Sequence, residues 1–138
     1  MNRRPLLLAI LVAASVGACT SSPTVPPSIL GRWQPVSAQL GGRELPVASF
    51  RGAVLVLQPG TYEFGNDSGT VALGSAGAPT RMDIQGKVGP NAGKTILAIY
   101  SLLQDELVIC YQLGAGPRPN AFESPTGTQI FLVRYKRV

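Results

Sequence analysis

The chain of 138 residues contains no histidine, and only 7% of it is aromatic and 14% charged. Without histidine there is no Ser-His-Asp triad, no Cys-His pair and no histidine-based zinc site. Cysteine is nearly as scarce, with only Cys19 and Cys110. The longest apolar stretch is short: the eleven residues Leu6–Val16, interrupted only by Ser15. A membrane span needs about 20 apolar residues to cross a hydrocarbon core of ~30 Å, so this stretch is not one. Carboxylates suited to acid–base work are also few. Asp83 reads as lying on a solvated strand face between Arg81 and Gln85, and Asp105-Glu106 as capping a hairpin. Nothing pins two of them together, and the sequence gives no support for an enzyme. No metal or cofactor is expected.

Arg3 and Arg4 precede Leu6–Val16, and small residues and a cysteine follow it in Val16-Gly17-Ala18-Cys19. A basic start, a short apolar stretch and small residues before a cleavage point compose a secretory signal over residues 1–18. Cysteine in that place resembles the lipobox of bacterial lipoproteins, in which it becomes the lipidated first residue. The resemblance implies a membrane anchor at Cys19 and a place in the cell envelope, with Thr20 favouring the outer membrane. A lipidated Cys19 leaves Cys110 without a partner. Cys110 lies in the apolar run Leu107–Tyr111 and reads as a buried, inert thiol.

Residues 19–28 are rich in Pro, Ser and Thr, with three prolines. They read as a tether leaning towards polyproline II, reaching roughly 25–30 Å at about 3.1 Å per residue. Beyond it, residues 29–138 form one domain. The part after Ala18 carries ten basic and seven acidic residues. The only basic cluster, Arg134-Tyr135-Lys136-Arg137, would be split between the two faces of a strand, so nucleic acid is not an expected partner.

The domain reads as short β-runs punctuated by Gly, Pro, Asn and Asp. Eight strands are expected: Leu30–Leu40, Ala53–Gln58, Thr61–Phe64, Gly69–Leu73, Thr80–Gln85, Lys94–Leu102, Glu106–Gln112 and Gln129–Arg137. Pro46–Arg51 suits one helical turn. Arg81–Gln85 and the final strand alternate with period two, as a sheet with one buried face requires. Val54–Leu57 and Ile96–Tyr100 are apolar on both sides, which calls for a loop or second layer over part of the outer face. Eight sequential strands with mostly short connections predict an all-β, antiparallel up-and-down barrel, with a sandwich as the alternative. Gly89–Thr95 has one residue too few for a phosphate-binding loop and leads into a strand, so it reads as a hairpin loop.

Gly31-Arg32-Trp33 opens the first strand. With Gly41–Pro46, Met82-Asp83-Ile84, Gly93-Lys94-Thr95, Ala98-Ile99-Tyr100, Glu106–Cys110, Arg118-Pro119 and Phe122-Glu123-Ser124, it resembles a lipocalin-like family of small exported bacterial proteins. Ala98 stands where that family often has glycine. The resemblance implies a small eight-stranded barrel and no established activity. It marks Gly31, Trp33, Arg118, Pro119 and Phe122 as structural residues or candidates for a ligand end. In lipocalins a basic residue covers the tryptophan, and Arg118, held between two prolines, is expected over Trp33. The alternative is that Arg118 recognises an anionic ligand.

Two functions are carried forward: a lipid-anchored module binding a small apolar or amphipathic molecule, or a filled barrel acting through its surface on a protein partner the sequence does not identify. A cavity of ~300 Å³ or more separates them.

Overall fold

The computed structural model describes residues 28–138 apart from 76 and 78. The segment read as a signal, Cys19 and the expected tether up to residue 27 lie outside the described residues.

Nine strands form: β1 (Gly31–Leu40), β2 (Arg43–Leu45), β3 (Leu55–Gln58), β4 (Thr61–Phe64), β5 (Asp67–Leu73), β6 (Thr80–Val88), β7 (Thr95–Leu103), β8 (Glu106–Gln112) and β9 (Ile130–Arg137). From β3 to β9 each strand pairs antiparallel with the next. β1 pairs with β3 at its start and with β9 along its length. That last pairing closes an eight-stranded up-and-down barrel, the expected fold, and closing the sheet removes the free edges an open one would expose.

β2 is an addition that the sequence reading did not contain. It folds back on the end of β1 through Gly41-Gly42, both at positive φ (58° and 81°). Two left-handed residues in succession make the tight turn whose twist suits a two-residue hairpin, and glycine adopts them without strain. The helical turn is present as a short 3-10 turn, Val47–Phe50, ended by Arg51 in the left-handed region. β5 begins two residues earlier than expected and β6 runs three residues further. Ser68 and Gly69 of β5 pair with Val88 and Gly86 of β6, which continues the ladder past the expected ends.

The alternation in the sequence becomes inside and outside. Met82 and Ile84 point into the barrel between exposed Arg81, Asp83 and Gln85. On β9, Val133 and Tyr135 point inward, while Leu132 faces out. Of the two stretches read as apolar on both sides, Ile96–Tyr100 contributes Ile99 to a second cluster on the outer wall, and Val54–Leu57 contributes nothing to it. Ile99, Val108, Cys110 and Leu132 are buried there beneath Phe122 and Ile130. Through Phe122 the long 113–129 connection is therefore the cover expected for Ile96–Tyr100.

Cys110 is fully buried in this outer cluster, with its thiol 3.5 Å from the Glu123 carbonyl oxygen. Burial pushes the thiol above its usual range, and only the thiolate reacts readily. Native protein is expected to leave Cys110 unlabelled by a maleimide at mildly alkaline pH and to label it fully in denaturant. Prompt native labelling would show that the 113–129 cover opens freely.

Candidate ligand-binding site

The two ends of the barrel are built differently. At one end Trp33 is completely buried, its indole N–H donating to the Ile29 carbonyl at 2.8 Å. The guanidinium covering the ring belongs to Arg137, 4.2 Å from its centroid, and not to Arg118. The register explains this correction. Trp33 of β1 lies directly opposite Arg137 of β9, so both side chains leave the same face of the sheet. Arg137 also donates to the carbonyls of Leu30 and Ser28 at 3.1 and 2.9 Å, tying the entering chain across this end. A Cβ on Gly31 would lie 2.9 Å from the Arg137 guanidinium, so glycine leaves the path of that side chain clear.

Arg118 works on the outer wall. Its guanidinium donates to the carbonyls of Ala98 (2.8 Å) and Met82 (3.2 Å), a cross-strand pair of β6 and β7, and forms an ion pair with Asp83. Pro119 is buried beside it, and Phe122 packs into the outer cluster. Gln112 braces the same connection, donating to the Pro117 carbonyl and accepting from the Gly114 N–H. Replacing Arg118 by alanine removes charge-assisted bonds from a side chain only 20% exposed. The expected cost is about 2 kcal/mol in denaturant unfolding, with faster proteolysis within 113–129. Asp83→Asn is expected to cost less, because Asp83 is half exposed. Asp105 and Glu106 form exposed ion pairs with Arg137 and Arg134.

The opposite end holds a cavity of about 400 Å³. Its walls are Leu55 and Leu57 of β3, Val71 of β5, Ile84 of β6, Ile96 of β7 and Val133 of β9. Its rim is aromatic. Phe50, from the 3-10 turn, lies 5.8 Å from Phe64 and 6.2 Å from Phe131, and Phe131 stacks on Tyr111 at 5.7 Å, ring centroid to ring centroid. Polar groups converge in two places. The Tyr62 hydroxyl donates to one Asp67 carboxylate oxygen at 2.9 Å, and the Asn91 amide donates to the other at 2.7 Å. The hydroxyls of Tyr111 and Tyr135 are 2.7 Å apart.

Burial is the main cause raising the phenols of Tyr62, Tyr111 and Tyr135 above their usual range. The Asp67 charge adds to it at Tyr62 and, more weakly, at Tyr111. The three hydroxyls are thus neutral hydrogen-bonding groups at physiological pH. Among the described residues, Asp67 is the sole charged one in the wall.

None of Gly31, Trp33, Arg118, Pro119 and Phe122 lines this cavity. The first two belong to the sealed end and the other three to the outer wall. The cavity's polar residues went unmarked in the sequence. Asp67 stood in a stretch read as a hairpin loop, and Asn91 in the glycine-rich loop before β7. Alternation along β9 was the one available signal, because it places Tyr135 on the inner face. Comparison of the chain with family models, with curated proteins and with solved structures finds no match in any of the three.

Proposed function

We propose that this protein is a lipid-anchored envelope protein, lipocalin-like in its barrel, that holds one small apolar or amphipathic molecule in the barrel interior. The observation that carries the reading is the cavity of about 400 Å³. It falls within the ~300–1,000 Å³ of small-molecule sites and combines an apolar wall with a few convergent polar groups, as such sites do. A barrel filled to both ends would favour a surface-acting interaction module. Here one end is sealed around Trp33 and the other holds the cavity.

The anchoring half of the reading rests on Arg3-Arg4, Leu6–Val16 and Cys19. Ser28–Leu30 lie at the sealed end, held by Arg137. The described chain thus enters the barrel at the end opposite the cavity mouth. Cys19→Ser is expected to abolish incorporation of a labelled fatty acid and to move the protein from the membrane to the soluble fraction, with the barrel still folded. Retained lipid label in that variant would remove the anchor from the proposal.

Native mass spectrometry of the protein purified from its own host tests the binding half. The expected result is a population heavier than the lipidated chain by one small molecule, lost on denaturation. A bare chain that also shows no thermal shift with apolar ligands would leave the surface-acting module as the better reading.

A further inference from the structure

The cavity has a sign. Among the described residues its wall holds no lysine or arginine, and Asp67 is its one charged group. Both carboxylate oxygens are oriented by neutral donors, Tyr62 and Asn91, each accepting one hydrogen bond. A carboxylate oxygen can accept more than one, so each retains acceptor capacity. Among the described residues, no lysine or arginine lies within ion-pair distance of Asp67. A carboxylate at the edge of an apolar cavity, with only neutral partners, favours an arriving cation and disfavours a second anion. The rim adds an independent preference. Phe50, Phe64, Phe131 and Tyr111 cluster around the cavity, and aromatic faces attract cations.

We propose that the cavity selects organic cations: an apolar body, housed against Leu55, Leu57, Ile84 and Ile96, that carries a protonated amine bonded to Asp67 at the aromatic rim. This rests on the reading that the cavity binds a small molecule and adds the chemical class of that molecule. It sets the site against the protein's overall balance, since the chain has twelve basic and seven acidic residues. Unspecific adsorption to such a protein would favour anions, so a preference for amines is not a surface effect.

Calorimetric titration of the protein at neutral pH with decylamine, decanol and decanoate tests the proposal. The three share one apolar body and differ in the head group. Decylamine is expected to bind at least tenfold more tightly than decanol, with decanoate weakest. Asp67→Asn keeps an acceptor for Tyr62 and removes the charge; it is expected to bring decylamine and decanol within about twofold of each other. The wild-type ranking stands as a test even if that variant fails to fold. Equal binding of amine and alcohol, or a preference for decanoate, overturns cation selection and leaves the binding site in place. Failure of all three to bind overturns both the selectivity and the site.

Discussion

Trp33→Ala is expected to destabilise the domain by about 3–5 kcal/mol, the range for truncating a buried large aromatic side chain. Native domains are stable by only ~5–15 kcal/mol, so a substantial fraction of the variant would be unfolded under mild conditions. Three losses coincide. The indole is wholly buried, so its removal opens a void at the floor of the barrel. The Ile29 carbonyl loses the indole N–H. Arg137 loses the ring beneath its guanidinium and keeps only its bonds to Leu30, Ser28 and Asp105. Urea unfolding followed by circular dichroism measures the effect. Trp33→Phe retains most of the packing and is expected to lose less than half as much. A loss below about 1 kcal/mol in Trp33→Ala would mean that the floor repacks, and the distinction between a sealed end and an open end would go with it. Arg137→Ala is expected to be milder, since the stacking of a cation on a ring is worth ~0.5–2 kcal/mol.

Much of the barrel was legible because strand alternation is local. Arg81–Gln85 states its inner and outer faces in five consecutive letters, and the structure repeats them. The covered outer wall was also readable, since Ile99, Val108 and Cys110 leave no polar face to give to water. Gly41-Gly42 carried the signal for β2, but three residues of strand are too few to show a period. The Trp33 partner was misassigned for a different reason. Proline context around Arg118 is a local feature, whereas the position of Arg137 depends on how β9 closes against β1. The phase of β9 carried the answer, because 131, 133, 135 and 137 are successive inward positions. The cavity was the least legible. Whether a barrel is full depends on its diameter and on residues from its loops. Asp67 meets Asn91, and Tyr111 meets Tyr135, each across 24 positions of chain. No spacing rule links them before the sheet closes.

The same buried hydroxyls make this fold sensitive to alkali. All four tyrosines, Tyr62, Tyr100, Tyr111 and Tyr135, have their phenols raised, each chiefly by burial. A phenol whose folded-state value lies above the unfolded one, near 10, leaves stability intact below that value and erodes it above. The unfolded chain then releases protons that the native barrel retains. Each such group costs about 1.4 kcal/mol per pH unit in that window. Counting only the three in the cavity wall gives roughly 4 kcal/mol by one unit above the ordinary value. The expected result is a flat denaturation midpoint from neutral pH to about 9 and a steep fall above 10. Phenolate absorbance should rise in one cooperative step together with unfolding. Tyr111→Phe and Tyr135→Phe each remove one titrating group from both states, so each should flatten the fall. If a Tyr62, Tyr111 and Tyr135 triple phenylalanine variant kept the wild-type slope, the alkaline loss would arise elsewhere. A ligand held in the cavity would oppose the same step, because binding the native state alone stabilises it. The alkaline midpoint therefore also reports whether the cavity is occupied.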